Sequence, residues 1–187
     1  MMVFAIMVLA VGTLAAQEPP NYAERLGFPK GARVIIFHND DAGLSHESNE
    51  AGIRGVEEGL ITSWSVMMPC AWVPEIRNYL KAHPDACSGL HLTLTSEWDK
   101  YRWRPLACVE NNPGLADPDG FLWDNVKLVA EHATADELEA EIRAQVAAAE
   151  KMGMPISHLD THMGTVFATE EYLMRYVAVG MEKMIPV

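Results

Sequence analysis

Cysteine is scarce in this 187-residue sequence, with only Cys70, Cys87 and Cys108. No pair has the spacing of a zinc ribbon, and an odd count excludes a complete disulfide framework. Each is expected to act as a small buried hydrophobe, and one disulfide is left open. Positive charge is also in short supply: 14 Lys and Arg stand against 26 Asp and Glu, a net charge of -12. Such a surface has no electrostatic footprint for nucleic acid or an anionic membrane, and it disfavours polyanionic ligands. No charged residue precedes Glu18, so the Lys or Arg that usually opens a secretory signal peptide is missing. What is there resembles the rest of one. Val3 to Leu14 is almost wholly apolar, too short to span a bilayer comfortably, and followed by Ala15 and Ala16 with Thr13-Leu14-Ala15 as a small-x-small site. Residues 1–17 are therefore expected to be a signal peptide, the alternative being a retained anchor, and the chain is expected to be exported to a periplasmic or extracellular space. A Gly-rich phosphate fingerprint is lacking as well, since "NDDAGLS" holds a single glycine. That removes the main reason to expect a Rossmann domain.

With 49% hydrophobic residues, the chain has enough apolar surface for one domain with a sizeable core. Residues 18–31 carry three prolines and read as a linker or cap. From residue 32 strands and helices alternate. "RVIIFHN" reads as a buried strand, followed by a helix with Ala51, Ile53, Val56 and Leu60 on its inner face. "TSWSVMMP" is a second strand. "VPEIRNYLKAH" is a helix with Pro74 in its first turn and Pro84 beyond its end. "SGLHLTLT" is a third strand. An irregular stretch from Ser96 to about Gly120 holds Trp98, Tyr101 and Trp103. Loops of this length in compact domains usually carry function. Thr134 and Glu137 form a capping box that opens the clearest helix, with Leu138, Ile142, Val146 and Ala149 on one face and Gly153 at its end. "ISHLDTHM" is a fourth strand, and Thr169 caps a further helix. "IPV" resembles the start of a fifth strand, so residues 32–187 are expected to be the N-terminal part of a larger single domain. The alternation predicts parallel strands with helices outside, closed either as a doubly wound sheet or as a barrel.

Chemistry collects at the strand ends. In "GLHLTLT" the three leucines share one face, and Gly89, His91, Thr93 and Thr95 share the other. On the fourth strand His158, Asp160 and His162 share a face. Three titratable groups there are costly to bury unless they are paired or bind a metal. Asp40 and Asp41 end the first strand. Alone, an Asp pair is usually a solvated turn and a lone histidine is usually satisfied in the core. Together, at the C-terminal edge of a parallel sheet, they describe a divalent-metal site of one carboxylate and two imidazoles. His38 is expected to pack or to orient an Asp. His46 would line the mouth, and His83 and His132 are expected to be structural or exposed.

"HNDDAG", "GLHLTLT" and "HLDTH", in this order, resemble the YdjC-like carbohydrate deacetylases, which include chitooligosaccharide deacetylases. That family reads Asn-x-Asp-Asp-x-Gly, then Gly-x-His-x-x-Leu-Thr, then His-x-Asp-[Ser/Thr]-His. Here no residue separates Asn39 from Asp40, and Ala42 stands where Phe is usual. The resemblance implies a distorted (β/α) barrel of the polysaccharide-deacetylase type. It also implies a divalent ion, magnesium or zinc, held by Asp41, His91 and His162. Asp40 becomes the general base, and Asp160 and His38 become groups that orient ligands. His158 is either an orienting group or the proton donor to the leaving amine. The implied reaction removes acetyl groups from N-acetylated sugars, with Trp98, Tyr101 and Trp103 either stacking on sugar rings or forming a small core beneath the loop. The alternatives are another metal-dependent ester or amide hydrolase, or a non-catalytic carbohydrate- or metal-binding fragment. The expected partner is a carbohydrate, with a homo-oligomer left open.

Overall fold

The computed structural model describes residues 21–187. The chain divides into two compact units, one ending at Ile35 and the other running from Ile36 to Val187. The signal-peptide expectation falls outside the described residues. In the first unit a single helical turn, α1 (Tyr22–Arg25), is capped by the Asn21 side chain on Glu24 N–H.

The second unit alternates β1 (His38–Ala42), α2 (His46–Glu57), β2 (Ser63–Val66), α3 (Val73–Ala82), β3 (Ser88–Leu92), α4 (Val126–His132), α5 (Ala135–Lys151), β4 (Leu159–Thr161) and α6 (Glu170–Lys183). The four strands form one parallel sheet in the order β1-β2-β3-β4. Strand order follows chain order, as in a (β/α) barrel, without the reversal that defines a doubly wound sheet. Near the end of the chain, Leu159 N–H donates to Pro186 O, so the "IPV" segment lies beside β4. Among the described residues no helix is long and apolar enough to cross a membrane.

The core forms where the apolar periodicity places it. Leu90, Leu92 and Leu94 are buried, as are Leu138, Ile142, Val146 and Ala149 of α5. Thr134 and Glu137 make both halves of the capping box. Gln145 on α5 completes the end of β3: its amide accepts from Thr93 N–H and donates to Thr93 O, a side-chain substitute for a strand partner.

Three expectations change. The first strand starts at His38 rather than Arg33, and Ile36 and Phe37 remain 70% and 60% exposed. Backbone pairing does reach Phe37 O, which accepts from Thr62 N–H, but β1 is an edge strand among the described residues. An edge strand has no second neighbour to cover its side chains. The inner face of α2 is Asn49, Gly52 and Gly55, with Ile53 and Val56 half-buried and Ala51 and Leu60 exposed. The glycines set that face: a Cβ on Gly52 would lie 3.2 Å from Asn39 Nδ2, and one on Gly55 would run into Ile61. Finally, only Cys70 is buried, while Cys87 and Cys108 are exposed and all three are free thiols.

Candidate metal centre

Two adjacent residues of a regular strand point to opposite faces. Asp40 and Asp41 escape this through a bulge: between the pairs Asn39–Trp64 and Ala42–Val66, β1 spends one more residue than β2. Asp41 takes up the excess at φ 59°, a left-handed conformation that Asp tolerates better than most residues. Asp41 Oδ1 then lies 3.4 Å from His91 Nε2 on β3 and 3.3 Å from His162 Nδ1 just beyond β4. His162 is followed by Met163 and Gly164, both at positive φ, which turn the chain away from the strand direction.

The Asp41–His91–His162 set is the one expected to hold a metal, and the structure brings it together. The ligand atoms lie within 4.8 Å of one another. Asp41 Oδ1 is buried yet has no hydrogen-bond partner, because its two imidazole contacts are poorly aligned for hydrogen bonds. An orphaned carboxylate oxygen facing two ring nitrogens fits a divalent cation.

The other nitrogen of each imidazole is fixed. Asp160 Oδ1 lies 2.6 Å from His91 Nδ1, and Ser65 Oγ lies 3.3 Å from the same atom. Glu97 Oε1 lies 2.9 Å from His162 Nε2. Each carboxylate thus holds a tautomer that aims the remaining nitrogen at Asp41, the usual arrangement behind metal-binding histidines. The sequence reading anticipated Asp160 and missed Glu97 and Ser65. Glu97 lies in the loop after β3, where no periodicity assigns a face; its one signal is an acidic residue close behind the His91 strand.

Electrostatics follow from these contacts. His162 beside Asp41 holds that carboxyl below its usual range, helped by the charge of His91 and opposed by burial. Burial disfavours a charged His162, but Asp41 and Glu97 outweigh it and raise the imidazole to about 9. Burial likewise opposes ionisation of Glu97 and Asp160, and their histidine partners more than offset it, leaving both carboxyls below the ordinary value.

His38 Nε2 lies 3.0 Å from Asp160 Oδ2 and 3.3 Å from Asp40 Oδ1, within reach of both carboxylates. Asp40 stands at the open side of the site with its side chain 60% exposed. His158 groups with His38 and Asp160 rather than with the Asp41 triad. Elsewhere, His46 pairs with Glu75, His83 stacks on Tyr79, and His132 stacks on Trp123. Trp103 is buried and donates from Nε1 to Thr95 O, Tyr101 accepts from Ala71 N–H, and Trp98 remains 48% exposed.

A family model described as YdjC-like protein matches residues 34–187. The chain belongs to the YdjC-like family. Among the relatives it matches, the carbohydrate deacetylase of Thermus thermophilus is 36% identical over 167 residues, covering 87% of this chain and 57% of that protein. The chitooligosaccharide deacetylase of Yersinia enterocolitica is 29% identical over 136 residues, 70% of this chain and 49% of that one. The chain thus spans about half the length of the curated relatives it matches. A crystal structure described as a cellobiose-phosphate cleavage protein from Enterococcus faecalis superimposes with a TM-score of 0.73 at 23% identity, covering 81% of this chain and 56% of that one. That likeness concerns the fold.

Proposed function

We propose that this YdjC-like chain carries the metal-binding site of a carbohydrate deacetylase, which hydrolyses the acetamide of N-acetylated sugars. The observation that carries the reading is the convergence of Asp41 Oδ1, His91 Nε2 and His162 Nδ1 around a buried oxygen without a hydrogen bond. Relatives named as carbohydrate and chitooligosaccharide deacetylases support the substrate class. Asp41, His91 and His162 would hold a divalent ion, which when bound would supply Lewis acidity toward the acetyl carbonyl and toward water. Asp40, exposed at the rim, takes the proton of the attacking water as general base and returns it to the departing nitrogen as the C–N bond breaks, leaving acetate and a free amino sugar. Asp160 and Glu97 hold the two imidazoles. Trp98, one residue from Glu97 and exposed, offers a flat apolar face on which a sugar ring can stack. Trp103 belongs to the core.

The test is acetate release from N-acetylated chito-oligosaccharides by metal-stripped protein before and after zinc or magnesium is restored. Activity should return with the ion. Asp40→Asn should keep ion binding and lower kcat about 100-fold or more. Trp98→Ala should act mainly on KM. Equal acetate release with and without metal, or full activity after Asp40→Asn, would overturn the reading.

A further inference from the structure

A second group of donors lies on the other side of Asp160. His38 Nε2 is 3.0 Å and His158 Nε2 is 3.8 Å from Asp160 Oδ2. The protons around His158 can be followed. Ser157 Oγ donates to Ser88 O at 2.9 Å, which leaves that hydroxyl to accept from His158 Nδ1–H at 2.8 Å. The lone pair of His158 therefore sits on Nε2, which is buried and has no hydrogen-bond partner. It faces a carboxylate oxygen, and 3.8 Å is too long for a hydrogen bond. Two lone pairs held this way repel unless a cation lies between them.

The site is also built to hold this ring. A Cβ on Gly89 would come within 2.5 Å of the His158 imidazole, so only glycine in β3 leaves the ring its place. On the far side, His38 Nδ1 is anchored by Ser63 Oγ at 2.9 Å. With Nδ1–H donating to that hydroxyl, the lone pair of His38 lies on Nε2, where Ser65 Oγ at 3.1 Å can donate to it until an ion takes that place as the second imidazole's ligand. A cavity of about 620 Å³, lined by His38, Ser63, Cys87, His158 and Asp160 among others, gives an ion access.

We propose that His38 Nε2, His158 Nε2 and Asp160 Oδ2 form a second divalent-cation site, selective for zinc-class ions over magnesium. Two imidazoles and one carboxylate are zinc donors, whereas magnesium prefers oxygen ligands. Asp160 joins the two centres: one oxygen fixes His91 of the first, and the other binds the ion of the second.

The experiment counts ions without assaying turnover. Metal-stripped chain is saturated with zinc, freed of excess by gel filtration, and analysed for zinc per chain. Two equivalents are expected for the wild type. One is expected for His158→Gln and for His38→Asn, whose Nε2-like donors are lost, and one for Asp41→Asn, which disables only the first centre. One equivalent in the wild type, or two retained in both histidine variants, overturns the second site. Loss of an ion on Asp41→Asn alone would leave the deacetylase reading standing while this one falls. A measurement that needs no variant is cobalt(II) titrated into the wild type and followed by visible absorption. Two saturation steps are expected, and a single step ending at one equivalent contradicts the proposal.

Discussion

A buried carboxylate oxygen without a hydrogen bond is costly, and Asp41 carries one. The cost is accepted where a ligand will repay it, and the bulge at φ 59° exists to place that oxygen. Asp41→Asn should therefore abolish ion binding at the first centre without unfolding the chain, as read by calorimetric titration and circular dichroism. Glu97 never touches Asp41 and acts only through His162 Nε2. Glu97→Ala should weaken cation affinity by about 10–100-fold, the usual cost of removing such a support. Unchanged affinity in that variant would show that His162 needs no orienting partner. Gly89→Ala should destabilise the fold by roughly 1–3 kcal/mol in urea unfolding, because the new methyl meets the ring of His158, whose neighbours hold it.

At the scale of elements, α5 does more than cover the sheet. Gln145 closes the end of β3, and the buried Glu141 carboxylate one turn before it accepts from Leu106 and Ala107 N–H, clamping the long loop. Burial raises the Glu141 carboxyl from 4.5 to about 7, against the pull of those hydrogen bonds. Its folded pKa thus exceeds its unfolded one, so the folded state binds the proton more tightly between those values. Stability from this group is full below about pH 4.5 and falls as pH rises through about 7. In thermal melts from pH 5 to 8 the wild type should lose stability relative to Glu141→Gln, by on the order of 1–3 kcal/mol. A constant difference across that range would mean the carboxyl is ionised throughout. At the start of the same helix, Thr134→Ala should cost about 1 kcal/mol, because it removes the cap on Glu137 N–H.

At the scale of the whole molecule, two expectations concern charge and the N-terminal run. We propose export directed by residues 1–17, with cleavage near Ala15 or Ala16. N-terminal sequencing of protein recovered outside the cytoplasm should begin within a residue or two of that point, and an intact Met1 there would contradict it. A net charge of -12 further predicts no retention on heparin or nucleic-acid resin at low salt.

The sequence alone carried the α/β alternation, the helix starts at Thr134 and Thr169, and the leucine face of β3. These depend on periods of two and 3.6 residues and on capping chemistry, which are local properties. A site of one carboxylate and two imidazoles was legible from the polar faces around His91 and Asp160, while Asp41, His91 and His162 as its members followed from the resemblance to the YdjC-like pattern. Three features waited for tertiary structure. The bulge that turns neighbouring Asp40 and Asp41 to different tasks depends on the register between β1 and β2. Glu97 reaches His162 across 65 residues of sequence, from a loop without periodicity. The apolar run before His38 looked like a buried strand because hydrophobicity records what a segment can bury, whereas exposure of Ile36 and Phe37 is decided by what lies beside the edge of the sheet. His158 shows the same division. Its side, shared with Asp160, was readable from alternation, but its bare Nε2 facing Asp160 follows from hydrogen bonds that Ser157, just before β4, makes with Ser88 of β3.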